Sequence, residues 1–212
     1  MRRTIRRRRA GRAPLTSTHD AQMRLYVAAA PAPSRLTEDA AQLLERKATH
    51  PMTIKAGDTL PDVTFTQWGA DGPAPIKAKD YFAGRKVVLF SLPGAFTPTC
   101  HKTHLPGFVA QAEAIKARGV DAVAVVAVND IFALDAWLVA SSAKGKVDGL
   151  ADGSAAFAKA TGTELDLVAA GLGVRSKRYA ALIDDGVVRW IDVEDNSSAA
   201  TVSSAEAALG KL

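Results

Sequence analysis

Apolar residues gather in two unbroken runs along this chain. Lys86 to Leu92 reads K-V-V-L-F-S-L, and Ala122 to Val128 reads A-V-A-V-V-A-V. Runs of this length and β-branched content predict central strands covered on both faces. Between them, Phe108, Ala112, Ile115 and Ala117 recur at helical spacing, and Gly119 ends the pattern. Asp130 is placed to cap a second helix with Phe132, Leu134, Trp137 and Leu138 on its apolar side. Shorter strands are predicted at Val63–Gln67 and near Val147–Leu150, with a helix over Ser154–Thr161. Tyr179–Ile183 and Val187–Val193 flank Asp184-Asp185-Gly186, a hairpin signal. Val202–Leu212 reads as a closing helix, capped by Ser203 or Ser204 with Glu206 near N3. The order βαβα, then hairpin, then helix, predicts an α/β fold with a central mixed sheet flanked by helices. No internal repeat is visible.

The first 51 residues differ from the rest. Ala28–Pro33 reads as a linker, and Ser34–Lys47 as a short amphipathic helix capped by Ser34 or Thr37, with Leu36, Ala40, Leu43 and Leu44 on one face. Net charge is +5 over 212 residues, but residues 1–51 hold 11 Lys/Arg against 4 Asp/Glu and the remainder 16 against 18. The basic excess therefore belongs to an extension, residues 1–51, expected to lie outside a folded domain spanning 52–212. That domain gives no electrostatic reason to expect nucleic acid. Met1 to Arg12 carries seven arginines and no acid. It reads as a mitochondrial-type targeting segment, a basic arm, or a stretch untranslated if synthesis starts at Met52. The last is preferred, because Met52 opens directly into T-I-K-A-G-D-T-L-P-D-V-T-F. No run of about 18 apolar residues predicts a membrane span, and no apolar stretch after the arginines suggests a secretory signal.

The 48% hydrophobic content suffices for a proper core. The single cysteine excludes an internal disulfide and a cysteine-rich zinc site. It fits a reducing compartment, so a cytoplasmic location is expected, or a mitochondrial one if the arginine-rich start is a targeting segment.

That cysteine, Cys100, ends the run P-G-A-F-T-P-T-C from Pro93, at the junction of a strand and a helix. A helix start offers free N–H groups and partial positive charge, which favour thiolate over thiol. A free cysteine is commonly a small core hydrophobe. Two prolines, two threonines and a glycine are not what core filling calls for. Thr97 sets a hydroxyl three residues before the sulfur. Pro93 either shapes a pocket wall or merely ends the strand.

Pro93, Thr97 and Cys100 match the P-x-x-x-T-x-x-C pattern of peroxiredoxins. The stretch Pro93–Phe108 (P-G-A-F-T-P-T-C-H-K-T-H-L-P-G-F) resembles type II, atypical, peroxiredoxins in particular. Val128-Asn129-Asp130, Leu150-Ala151-Asp152-Gly153-Ser154 and Arg175-Ser176-Lys177-Arg178-Tyr179 follow in the matching order, and the likeness runs from about Met52 to Leu212. The resemblance implies a thioredoxin-like fold and a thiol peroxidase. Cys100 would attack hydrogen peroxide or an alkyl hydroperoxide and become a sulfenic acid. Thr97 would exchange a hydrogen bond with the peroxide. In the pattern R-S-x-R-[FY], Arg178 falls at the active-site arginine, with Arg175 its close competitor. No bound cofactor is implied. Relatives carry a second cysteine where this chain has Val125 or Val202, so the oxidised sulfur would need an external thiol: glutathione with glutaredoxin, or thioredoxin. A homodimer packing near Phe96 is also implied, although Phe96 reads equally as core.

Other polar groups invite weaker readings. His101 and His104 adjoin Cys100, but neighbours along a turn rarely present the geometry of a base and its nucleophile; His104 is expected to bond locally and trim the turn. Asp184 and Asp185 read as a hairpin tip, and Asp152-Gly153-Ser154 as a turn and helix cap. Two other classes stay open: a redox sensor or relay using the same cysteine, and a non-catalytic thioredoxin-like binding module in which Cys100 is structural.

Overall fold

A computed structural model of the chain describes residues 53–212. The linker and helix expected within 1–51 lie outside them. The described chain runs β1 (Thr64–Gly69), β2 (Gly72–Lys77), α1 (Ala78–Phe82), β3 (Lys86–Leu92), a π-helical turn (Cys100–His104), α2 (Leu105–Lys116), β4 (Ala122–Ala127) and α3 (Ile131–Ala140). There follow β5 (Asp148–Ala151), α4 (Ala156–Ala160), β6 (Glu164–Leu167), a 3₁₀ turn (Val168–Ala170), β7 (Gly173–Ser176), β8 (Tyr179–Asp184), β9 (Val187–Val193) and α5 (Ala205–Leu209).

Seven strands form one sheet in the order β2-β1-β5-β4-β3-β8-β9, and β6 and β7 form a separate ribbon. The β5, β4 and β3 strands are parallel, while β8 joins β3 antiparallel. This is the expected thioredoxin-like, mixed-sheet α/β fold. The two apolar runs take its centre because each feeds both faces. Val88, Phe90, Leu92, Val123 and Val125 point into a core closed by α2, α3 and α5. Val87, Leu89, Ala124 and Val126 point into the opposite core with Phe65, Tyr81 and Phe157. Residues two apart share a face in a strand, and each large side chain fully buried contributes about 1.5–3 kcal/mol.

Local chemistry sets the ends. The Asp130 carboxylate accepts from Ala133 N and caps α3, as its position predicts. Phe132, expected on the apolar side, is instead 64% exposed, and the buried set is Ile131, Leu134, Trp137 and Leu138. The helix is apolar nearly all round, so hydropathy alone could not choose its face. Asp152 accepts from Phe157 N and Ala158 N and so caps α4. Asp185 and Gly186 both take positive φ, 50° and 75°, as a type I′ hairpin turn requires. The closing helix is shorter than expected: Ser204 caps it by accepting from Ala207 N, which leaves Glu206 at N2.

Candidate active site

The β3 strand ends at Leu92 with both faces committed to core, and the chain must turn at once to enter α2. Pro93 and Gly94 are buried at this turn. Ala95 N donates to Asn129 Oδ1 at 2.9 Å, and the Thr97 hydroxyl donates to Gly94 O at 2.8 Å. Phe96, between them, takes φ 61°, a left-handed conformation that bulky residues hold only where neighbours over-determine it. Its ring is 55% exposed, so Phe96 is not core. Winding starts at Pro98, His101 N donates to Thr97 O at 2.9 Å, and the turn widens into the π-helical Cys100–His104 segment before α2. Cys100 thus sits in the first helical turn after the strand, as its motif implied.

Cys100 is fully buried, at the end of the core beneath α2. Arg178, entering β8 from 78 residues further on, places Nη2 3.2 Å from Sγ. The same guanidinium donates to Ser197 O from Nε at 3.2 Å and from Nη2 at 2.9 Å. Nη1 donates to His104 Nδ1 at 2.9 Å. The guanidinium thus aims a charge-assisted N–H at the sulfur. Arg175 does a different job. Its Nε donates to Leu172 O at 2.6 Å, and its Nη1 to Val128 O at 3.2 Å and Pro93 O at 3.4 Å. Of the two candidate arginines, Arg178 meets the sulfur and Arg175 clamps the backbone of the turn.

A depression of about 220 Å³ opens beside this cluster, lined by Pro93, Thr97, Pro98, Leu172, Arg178 and Ser197. Pro93 both follows the last residue of β3 and walls this depression, so its two readings coincide. Because Thr97 spends its own proton on Gly94 O, its oxygen faces other partners as an acceptor.

The histidines part company. His101 Nδ1 accepts from the buried Trp137 Nε1 at 3.1 Å. His104 does not bond locally, contrary to expectation: its partners are Arg178 and, at 2.8 Å from Nε2, Ser203 O. Burial pushes its imidazole down to about 4, and the Arg178 charge adds to this; it is neutral at neutral pH. Ser203 is held in turn by Glu194, whose Oε1 accepts from Ser203 N at 2.9 Å and from Ser203 Oγ at 2.8 Å. Burial works to raise the Glu194 carboxyl, but hydrogen bonds from Ser203 and Thr201 outweigh it and hold the group below its ordinary value. Sequence reasoning read Ser203 only as a candidate cap of the closing helix, a place that Ser204 takes, and passed over Glu194 and Ser197, neither of which stands in a recognisable pattern. Asn129 did stand in one, the Val128-Asn129-Asp130 run, with no role attached.

The family model described as Redoxin matches residues 55–209. The chain is 48% identical to peroxiredoxin-2E-2, chloroplastic, of Oryza sativa subsp. japonica, over 76% of this chain and 73% of that one. It is 44% identical to peroxiredoxin-2C of the same plant, over 75% of this chain and 98% of that one. Among solved structures, reduced Prx3 in complex with H2O2 from Vibrio vulnificus superposes with a TM-score of 0.72 at 46% identity, covering 75% of this chain and 99% of that one. By sequence and by fold alike, the chain belongs to the redoxin family, among its peroxiredoxins.

Proposed function

We propose that this chain is a one-cysteine thiol peroxidase that reduces hydrogen peroxide and alkyl hydroperoxides. The observation that carries the reading is the Arg178 Nη2 contact with Cys100 Sγ at 3.2 Å. The Cys100 thiolate attacks one peroxide oxygen, the O–O bond breaks, and the other oxygen leaves as hydroxide or alkoxide and takes a proton from water. The sulfur ends as sulfenic acid, oxidised by two electrons. Thr97 Oγ1 accepts from the peroxide O–H and sets its orientation, while Arg178 stabilises charge growing on the leaving oxygen. Pro93 and Leu172 supply an apolar rim suited to an alkyl group. Since Cys100 is fully buried, side chains of the rim must shift to admit substrate.

With one cysteine in the chain, turnover requires an external thiol. Glutathione attacks the sulfenic acid, water leaves, and a mixed disulfide forms. Glutaredoxin or a second glutathione then takes the glutathionyl group and frees Cys100. Thioredoxin is the competing reductant. A homodimer is supported by Phe96, exposed on a strained turn beside the site. The cytoplasm remains the proposed location. Among the described residues no helix is long and apolar enough to cross a membrane.

The test is stopped-flow oxidation of the purified protein. Trp137 reports through its hydrogen bond to His101, the residue after the reacting sulfur. A fast fluorescence phase saturating at one peroxide per chain and absent in Cys100→Ser supports the peroxidase. A rate no better than a free thiol refutes it. Mass spectrometry after peroxide plus glutathione then shows an adduct at Cys100, or excludes glutathione as the resolving thiol. A fast phase with no turnover under glutathione, glutaredoxin or thioredoxin would favour the sensor or relay.

A further inference from the structure

Arg178 is 1% exposed, and buried charges are ordinarily paired with opposite ones. Yet among the described residues no carboxylate lies within 4.0 Å of it. Apart from the sulfur, its acceptors are the Ser197 carbonyl and an imidazole nitrogen. A carboxylate in either place would hold the fork as firmly but would cancel its charge. Neutral acceptors fix the guanidinium and leave its charge for the sulfur and the leaving oxygen.

This arrangement makes a specific demand on His104. Arginine has only donors, so Nδ1 must present a lone pair to Arg178 Nη1. The proton then resides on Nε2, where it meets Ser203 O at 2.8 Å. Ser203 is not free to drift, because its N and Oγ are both bonded to Glu194 Oε1. Glu194 also accepts from Thr201 N at 2.6 Å, and its own N donates to Arg178 O at 2.9 Å. A buried chain therefore runs from Glu194 through Ser203 and His104 to the Arg178 fork.

Resting on the peroxidase reading above, the geometry points to His104 as a positioning residue, one that holds the Arg178 fork against Cys100 in the tautomer that Ser203 imposes. The competing account is packing alone, since the His104 ring meets Phe90 and Phe108 edge-on at 5.2 and 5.4 Å between centroids.

Three variants separate the two accounts. His104→Phe keeps a ring between Phe90 and Phe108 and deletes the acceptor. His104→Asn places an amide oxygen near the position of Nδ1. His104→Gln reaches instead toward the position of Nε2. The readouts are the second-order rate of Cys100 oxidation by hydrogen peroxide and the thermal midpoint. Loss of a supporting group of this kind typically costs about 10–100-fold. Phe and Gln are expected to fall by that much, and Asn to recover most of the rate, whatever the order of their midpoints. A His104→Phe rate equal to wild type overturns the assignment and leaves the peroxidase standing, as does an Asn variant no faster than Phe. A wild-type rate no faster than a free thiol overturns both.

Discussion

Replacing Arg178 by Met removes the guanidinium while keeping an unbranched side chain of similar reach. Two terms oppose each other in stability. Ser197 O and His104 Nδ1 lose their donor, and a buried group left unpaired costs about 1–3 kcal/mol. Against this, a buried cation without a carboxylate partner is removed, and with it a desolvation penalty of several kcal/mol, part of which its hydrogen bonds had offset. The net change is a few kcal/mol at most, and the protein should still fold. Reactivity has no such compensation. Deleting one donor aimed at developing charge costs about 10²–10³-fold in rate, and the Nη2–Sγ contact is lost as well. Stopped-flow oxidation read through Trp137, alongside a urea melt, should show a rate down by about that factor and a modestly shifted midpoint. A wild-type rate in Arg178→Met would refute the role given to the guanidinium. A collapsed folding transition would refute the balance just drawn.

Thr97→Val should slow oxidation by about 10²-fold, and Thr97→Ser should keep most of the rate, because only Ser retains an oxygen that donates to Gly94 and accepts from peroxide. His104 makes stability depend on acid: its folded form takes up a proton only near 4, against an ordinary value of 6.5. Between those values the unfolded chain binds more protons, so stability falls as pH drops from about 6.5 to about 4, by about 1.4 kcal/mol per unit. Urea melts across that window should show the slope, and His104→Phe should flatten it. A Cβ at Gly94 would lie 2.8 Å from Arg175 Nη1, so Gly94→Ala should swing Arg175 off the Pro93 and Val128 carbonyls. That should cost about 1 kcal/mol in a denaturant melt and slow oxidation less than Thr97→Val does.

Legibility in the sequence followed continuity. The β3 and β4 strands and the β8–β9 hairpin were readable because each is an unbroken apolar run or flanks an Asp-Gly turn. The β2 strand was not: G-P-A-P-I-K carries Pro73 and Pro75, which argue against a strand. It is tolerated because β2 is the sheet's edge, paired only with β1. The β6–β7 ribbon was not seen because each strand is only 4 residues long, too short for its alternation to stand out. At the site, Pro93, Thr97 and Cys100 lie within eight positions and declare themselves. Arg178 needed the family pattern, since nothing about an isolated arginine names its partner. The link from Glu194 to His104 was invisible, being built from common polar residues, with His104 and Ser203 99 positions apart.

The pairing of Ser91 with Tyr179 couples chemistry to cohesion. The segment carrying Cys100 leaves β3 just after Ser91, and the one carrying Arg178 enters β8 at Tyr179, at the same end of two adjoining central strands. A slip of one residue between these strands would turn Arg178 to the other face of the sheet. The reactive pair is thus anchored to two paired strands inside the sheet, where opening should cost the most. Amide hydrogens of β3 and β8 should exchange only on global opening, while the rim at 93–99 exchanges by local fluctuation. Substrate entry can then remodel the rim many times over while the sulfur and its arginine keep their alignment for the lifetime of the folded sheet.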